Sequence, residues 1–184
     1  MWPNAYKNGQ SALAKQMSED GDESLVNVSN EDSGFIDSIA FQINGANVNY
    51  SIFKGHEDIV VLALLTPLLP GESIDVSSPF RVKVPSGRIS RLGHIGQSYQ
   101  ITQWYPKPAV YDKNGWNPMP YLNQGEFYSE FGSFDVSITI PENYVVGSTG
   151  DLQNASEIKF MNDLAQKTKG DLMSLVAESN KGNM

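Results

Sequence analysis

Short segments in which apolar and polar residues alternate fill much of the chain after residue 34, a pattern typical of β-strands with one buried face. Residues 35–43 place Phe35, Ile39, Phe41 and Ile43 on one face of such a strand. Asn44-Gly45 follows directly, and this dipeptide between two alternating segments predicts a hairpin with a two-residue turn. The pattern therefore predicts antiparallel β-structure that begins at Phe35.

Further strands are predicted at intervals along the rest of the chain. Residues 48–53 resume the alternation, and the apolar run at residues 59–65 indicates a strand buried on both faces. The other predicted strands cover residues 74–84, 99–105, 127–140 and 144–146. Short strands at this spacing, joined by short turns, predict an all-β fold, an antiparallel β-sandwich.

The two ends of the chain have a different pattern. Ser11 is a suitable cap for a short helix over residues 12–17, and residues 18–34 are acidic and rich in Gly, Ser and Asn, as in a solvated loop. Asn154 and Glu157 resemble a capping box before a helical stripe of apolar residues. We therefore expect three parts: an N-terminal helix and loop (1–34), the sandwich (35–154), and a C-terminal α-helix with a frayed tail (155–184).

Composition excludes several classes of function. The 184 residues carry a formal net charge of -8, which argues against binding of a nucleic-acid backbone. The absence of cysteine excludes disulfides and thiolate chemistry. The longest apolar run is far shorter than the roughly 20 residues of a transmembrane span, and the first residues lack the pattern of a signal peptide.

The sequence contains few groups of residues that could bind a metal ion. The only histidines are His56 and His94, and the zinc motif HExxH is missing, so no catalytic zinc site and no metal ligands are predicted within this chain. Asp20, Asp22 and Ser24 have the spacing of a calcium loop, but its turn glycine and closing glutamate are out of register. An acidic, solvated loop is the better interpretation.

A local basic stretch stands out in this acidic chain. It consists of Arg81, Lys83, Arg88, Arg91 and His94. We expect these side chains to pair with the acidic loop, since surface ion pairs are common and individually weak.

The residues from 96 to 121 are rich in aromatic side chains. The large aromatics are Trp104, Tyr105, Tyr111, Trp116 and Tyr121. They could form a flat stacking surface for a sugar or a peptide, or they could pack in the core, since each buries about 150–250 Å². Composition favours packing, and for Trp104 and Trp116 we predict a packing role.

Three segments in this region resemble a known family. They are Gln-Trp-Tyr-Pro-Lys-Pro-Ala-Val-Tyr-Asp (103–112), Gly-Glu-Phe-Tyr-Ser-Glu-Phe-Gly-Ser-Phe-Asp-Val (125–136) and Val-Val-Gly-Ser-Thr-Gly-Asp-Leu (145–152). Their order and spacing resemble the N-terminal domain of aminopeptidase N-type zinc metallopeptidases (gluzincins), in the form common in Bacteroidetes-like bacteria. The match runs from about Phe80 to Asn154, and residues 2–7 are similar to the same branch.

The resemblance implies a saddle-shaped β-sandwich that packs on a separate catalytic domain. In the family that domain holds the zinc and carries the HExxH motif, and this sequence lacks that motif. The chain would then be a segment of a larger enzyme that is inactive alone, with no cofactor of its own. Its implied partners are the missing catalytic domain and the N-terminus of a peptide substrate. A periplasmic or exported parent fits the resemblance, and an uncovered sheet edge predicts self-association.

One functional residue follows from the resemblance. The family's N-terminal domain sends a glutamine into the active-site cleft, nine residues before a turn proline, and Gln97 has this spacing to Pro106. The resemblance therefore implies that Gln97 binds substrate, with Tyr99 and Gln100 as a secondary wall of the cleft. Two features depart from the family pattern: Ile95 replaces a frequent glutamine, and the turn reads Pro-Lys-Pro-Ala-Val-Tyr-Asp.

Two alternatives remain open at the level of sequence. The chain could be a stand-alone carbohydrate- or peptide-binding sandwich that uses exposed aromatics, or the product of a non-functional gene fragment. A reading frame that continues into an HExxH domain would distinguish the first interpretation from both.

Overall fold

The computed structural model describes residues 1–125 and 127–181. Contacts between Cα atoms divide the chain into two compact units, Met1–Ser133 and Phe134–Met184. Each unit is described separately below.

The first unit begins with two short helices. A 3-10 helix, Trp2–Tyr6, is followed by the α-helix α1, Ala12–Glu19. Ser11 caps α1 as predicted: its Oγ accepts a hydrogen bond from the Ala14 N–H at 3.0 Å. The same hydroxyl donates to the carbonyl oxygen of Ala5 at 2.7 Å, so the cap also ties α1 to the 3-10 helix.

Short strands make up the rest of the regular structure in the first unit. They are β1 (Phe35–Asp37), β2 (Gln42–Ile43), β3 (Ala46–Asn47), β4 (Tyr50–Phe53), β5 (His56–Leu62), β6 (Val76–Ser77), β7 (Arg81–Lys83), β8 (Gly93–Ile95), β9 (Ser98–Gln100), β10 (Val110–Asp112) and β11 (Gly115–Asn117). They pair antiparallel in small sheets with the orders β1-β7, β3-β2-β6, β4-β5, β8-β9 and β10-β11. Within the described residues these sheets do not close into a sandwich.

The predicted hairpin at Asn44-Gly45 is confirmed, whereas the strand before it is shorter than predicted. Asn44 and Gly45 have φ angles of 50° and 81°, as a type I′ turn requires, and β2 and β3 flank them. Residues 35–43 do not form one continuous strand, because Ser38 has a φ angle of 57°. β1 therefore pairs with β7, while β2 joins a different sheet.

The prediction that residues 59–65 form a strand buried on both faces is wrong. β5 does run through His56–Leu62, but the residue it buries is the acidic Asp58. Val61 and Leu65 are exposed. Among the described strands, β5 pairs with β4 alone, and most of its residues are half-buried rather than buried.

The core lies around the N-terminal helices rather than between sheets. Its buried members are Ala5, Tyr6, Leu13, Ala14, Met17, Leu25, Leu92 and Tyr121. Trp2 and Phe127 pack against this cluster, and their ring centroids lie 5.9 Å and 5.3 Å from that of Tyr121. The core thus brings the 3-10 helix into contact with residues that lie more than 100 positions later in the sequence.

The second unit contains one long helix and no strand among its described residues. The strands predicted at 127–140 and 144–146 do not form in the described part of the chain, where no strand pairing includes either range. The helix α2, Ala155–Lys181, begins where predicted, and Asn154 Oδ1 accepts from the N–H groups of Ser156 (3.0 Å) and Glu157 (3.1 Å). α2 extends into the tail predicted to fray, and residues 182–184 lie outside the described residues.

Among the described helices, none is both long enough and apolar enough to cross a lipid bilayer.

Candidate functional site

The predicted site residues lie together on the hairpin formed by β8 and β9. The strands pair antiparallel, with Gly93 opposite Gln100 and Ile95 opposite Ser98. Gly96 and Gln97 form the two-residue turn between them. Gly96 has a φ angle of 56°, which favours glycine at the first central position of a tight hairpin turn.

The base of this hairpin is held by the loop that precedes it. The His94 N–H donates to the Pro85 carbonyl at 3.0 Å, and the Gly87 N–H donates to the His94 carbonyl at 2.9 Å. A Cβ atom on Gly93 would lie 2.6 Å from the Cα of Gly87 and 2.7 Å from the carbonyl oxygen of Ser90. Only glycine fits at residue 93, and Leu92, buried in the core, anchors the start of β8.

All three predicted site residues are exposed. Gln97 lies in the turn, and Tyr99 and Gln100 lie on β9. The Tyr99 ring stacks on the ring of His94, its partner across the hairpin, with centroids 5.4 Å apart and planes 22° apart. This stacking leaves half of Tyr99 exposed. The structure thus brings Gln97, Tyr99 and Gln100 to one accessible hairpin.

A shallow depression of about 210 Å³ lies beside this hairpin, and we call it the β8–β9 depression. Its lining consists of Gly87, Ser90, Arg91, Gly93, His94, Ile95, Ser98 and Gln100. Gln100 is the predicted site residue in this lining. Sequence reasoning missed Arg91 and Ser98 as neighbours of Gln100, although the local basic stretch was a signal that could have drawn attention to Arg91.

The basic stretch finds other partners than the carboxylates of the acidic loop. Arg81 forms a two-pronged pair with Asp37 across β1 and β7, from Nε to Oδ1 (2.9 Å) and from Nη2 to Oδ2 (2.6 Å). This pair holds the pKa of Asp37 below its usual value, chiefly through the hydrogen bond from Arg81. Lys83 does reach the loop, where its Nζ donates to the carbonyl oxygens of Asn30 (2.6 Å) and Glu31 (2.9 Å).

Arg88 and Arg91 differ from Arg81 and Lys83 in their surroundings. Both are exposed, and neither forms an ion pair with any residue that the structure describes. The prediction that the whole stretch pairs with the acidic loop is therefore wrong for these two residues.

The aromatic residues do not form one surface. Tyr121 is buried in the core, and Trp104 is half-buried against Phe80, with ring centroids 5.7 Å apart. Tyr111 and Trp116 face each other across the β10–β11 hairpin, with centroids 5.0 Å apart and planes at 66°. They are 68% and 65% exposed, so the predicted packing role is wrong for Trp116.

Among residues 1–125 and 127–181, the His, Asp and Glu side chains do not form a group that could hold a metal ion. No cluster of three or more His, Asp or Glu side chains occurs there. His56 stacks on Phe53 with centroids 5.8 Å apart, while His94 stacks on Tyr99. In the acidic loop Asp22 Oδ1 accepts from the Ser24 N–H at 2.9 Å, which keeps the pKa of Asp22 below its usual value.

Two ionisable groups inside the first unit serve the fold. Burial raises the pKa of Asp58, and its Oδ2 accepts a hydrogen bond from the Tyr121 N–H at 2.7 Å. Burial also raises the pKa of Tyr6, whose hydroxyl contacts Ser90 and Tyr121. Neither group lines the β8–β9 depression, so we assign both to the core.

Comparison with family models, curated proteins and solved structures gives no match to this chain. The case for a function therefore depends on the residues themselves and on the geometry given above.

Proposed function

We propose that this chain is the non-catalytic N-terminal part of an aminopeptidase N-type zinc metallopeptidase, where it lines the substrate cleft. The observation that carries the proposal is the position of Gln97. It lies nine residues before Pro106, as the family pattern requires, and it occupies the exposed turn of the β8–β9 hairpin. A residue that reaches into the cleft of a neighbouring domain has to be exposed in this way.

The finer fold belongs to the same proposal. In the intact enzyme the small antiparallel sheets would be parts of a saddle-like β-sandwich. Residues 134–140 support this proposal, because Phe134, Val136, Ile138 and Ile140 alternate with polar residues and are exposed. Such a segment is suited to pair with a further strand and to bury its apolar side against a second layer.

The chemistry would be divided between two domains. The zinc of the separate catalytic domain would activate a water molecule for hydrolysis of the first peptide bond. The amide of Gln97 would accept a hydrogen bond from the free α-amine of the substrate through its oxygen. Tyr99 and Gln100, on the strand that follows, would form the adjacent wall of the cleft.

Replacement of Gln97 by alanine in the enzyme that contains this segment tests the proposal. Loss of a hydrogen bond to a charged amine should lower kcat/KM about ten- to a hundred-fold, with little change in melting temperature. Gln10→Ala is the matched control, because Gln10 is an exposed glutamine in the turn before α1. An unchanged kcat/KM for Gln97→Ala, or an equal loss for both variants, would contradict the proposed role.

The exposed pair of Tyr111 and Trp116 favours a second candidate function, carbohydrate or peptide binding by a stand-alone domain. Two large aromatic rings in contact on an exposed hairpin provide surface on which a sugar ring or an aliphatic side chain can stack. The planes lie 66° apart, so the two rings would form an angled wall rather than a flat platform.

Titration with soluble oligosaccharides, followed by NMR of the tryptophan indole N–H groups, separates the two candidates. Stacking on Trp116 should shift its indole signal in a saturable way and leave that of Trp2 unchanged, since Trp2 packs against the core. Trp116→Ala should abolish binding. If no sugar shifts the Trp116 signal, the carbohydrate form of the second candidate is eliminated.

A further inference from the structure

The β8–β9 depression presents hydrogen-bond donors that have no partner in the described part of the chain. Arg91, Ser98 and Gln100 contribute a guanidinium, a hydroxyl and an amide to its lining, and no side-chain hydrogen bond engages any of them there. His94 also lines it, but its ring stacks on Tyr99 and its Nδ1 atom is buried. The Arg91, Ser98 and Gln100 side chains can donate hydrogen bonds to a ligand that accepts them.

Ser90 differs from these side chains because its hydroxyl is already engaged. Its Oγ accepts a hydrogen bond from the Leu92 N–H at 3.0 Å and contacts the Tyr6 hydroxyl. Ser90 therefore forms part of the wall of the depression, and the side chains left to donate hydrogen bonds to a ligand are Arg91, Ser98 and Gln100. The close packing of Gly87 on Gly93 fixes the floor of the depression relative to the hairpin.

The charge of the lining contrasts with that of the chain. The chain as a whole has a net charge of -8, yet none of the residues that line the β8–β9 depression is an aspartate or a glutamate. Arg91 supplies a permanent positive charge, and it has no ion-pair partner among the described residues. An anionic group bound at this position would form an ion pair with Arg91.

From this arrangement we propose that the β8–β9 depression is a binding site for a single carboxylate group, held by the Arg91 guanidinium with Ser98 and Gln100 as additional donors. The inference rests on the geometry of the depression and does not involve Gln97, and Gln100 is the residue that it shares with the proposed cleft wall. A guanidinium offers two parallel N–H groups that match the two oxygens of a carboxylate.

Size and charge favour a carboxylate over larger or more highly charged ligands. A volume of about 210 Å³ lies below the roughly 300–1,000 Å³ of pockets for drug-sized ligands. The depression therefore fits a group the size of one side chain. A phosphate dianion would meet only one permanent positive charge in the lining, and the net charge of the chain would repel it more strongly than a monoanion.

The carboxylate can come from an acidic side chain or from the C-terminus of a peptide. N-acetylglutamic acid α-amide, N-acetylglycine and neutral N-acetylglycinamide serve as probes for the side chain, the C-terminus and the uncharged control. Backbone and side-chain amide signals of the full 184-residue chain would be followed by NMR at constant ionic strength. We expect saturable shifts at Gly93, Ser98 and Gln100 with one or both carboxylates, and binding at least about tenfold weaker with the neutral amide.

Two variants make the test specific. Arg91→Gln should weaken carboxylate binding about tenfold or more. Arg88 is also exposed and forms no ion pair with the residues that the structure describes, but it lies outside the lining, so Arg88→Gln should change binding less than about twofold. Gln100→Glu places a negative charge in the lining and should abolish binding.

Three results would overturn the inference. They are shifts that do not saturate, equal binding of N-acetylglycine and N-acetylglycinamide, and equal losses from the two arginine variants. Tighter binding of inorganic phosphate than of either carboxylate would overturn the assignment of the ligand class. The unchanged amide spectrum of each variant, recorded without ligand, establishes that it is folded.

Discussion

The carboxylate of Asp58 accepts a hydrogen bond from the backbone N–H of Tyr121 at 2.7 Å, across 63 residues of sequence. Both residues are buried, and Tyr121 belongs to the aromatic cluster of the core. The Asp58 side chain therefore joins β5 to the core of the first unit. A buried acidic group at this position makes the stability of the first unit dependent on pH.

The pH dependence has a definite sign. Burial raises the pKa of Asp58 in the folded state above its ordinary value of 3.8. Between these two pKa values the folded chain retains a proton that the unfolded chain has released. The contribution of Asp58 to the free energy of unfolding is therefore largest at low pH, and it is lost as the pH rises from 3.8 through the raised pKa.

Urea unfolding of the wild type and of Asp58→Asn over this pH range measures the effect. The asparagine amide keeps an oxygen acceptor for the Tyr121 N–H and does not titrate, so the variant should lack this part of the pH dependence. Asp58→Ala leaves the N–H unpaired and should lower the free energy of unfolding by about 1–3 kcal/mol at every pH. Identical pH profiles for the wild type and Asp58→Asn would refute the assigned cause.

Trp2 and Trp116 should respond differently to replacement by alanine. Trp2 packs against Tyr121 and Phe127, and the Lys107 ammonium lies 4.7 Å from the centre of its ring. Trp2→Ala should therefore lower the free energy of unfolding by about 3 kcal/mol. Trp116 contacts Tyr111 on an exposed hairpin, so Trp116→Ala should cost about 1 kcal/mol or less. Urea unfolding of both variants provides the comparison, and a larger loss for Trp116→Ala would mean that its exposure is misassigned.

Residues 134–140 should mediate self-association of the isolated chain. Their alternating apolar side chains are exposed, and the segment belongs to no strand of the described structure. Because a segment outside the described strands can offer its N–H and C=O groups to another chain, a second copy can pair with residues 135–140. Sedimentation velocity at increasing protein concentration should show dimers or larger species.

A matched pair of variants tests the role of that segment. Ile138→Lys places a charge on the apolar side and should shift the equilibrium to the monomer, whereas Thr139→Lys, on the polar side, should shift it less. A wild-type chain that remains monomeric at high concentration would count against this prediction.

Local signals in the sequence predicted local structure well. The Asn44-Gly45 hairpin and the caps Ser11 and Asn154 were all predictable, because each depends on residues within about four positions of one another. Alternation alone was not sufficient for residues 127–146. A strand forms only where another strand accepts its hydrogen bonds, and the sequence pattern does not specify that partner.

The candidate site was predictable in part. The family-like spacing drew attention to Gln97, and the structure places it in an exposed turn beside Tyr99 and Gln100. The β8–β9 depression was not predictable, since it depends on the close approach of Gly87 to Gly93 and on an Arg91 that forms no ion pair with the described residues. Nor could composition distinguish the exposed Trp116 from the half-buried Trp104.

The central claim is that these residues belong to a zinc aminopeptidase, and its most direct test is the reading frame that encodes them. The source DNA on both sides of the codons for residues 96–152 should be sequenced and its transcript mapped. The account predicts that the same frame continues into a domain with HExxH and a later glutamate. A native frame that closes without HExxH would contradict it.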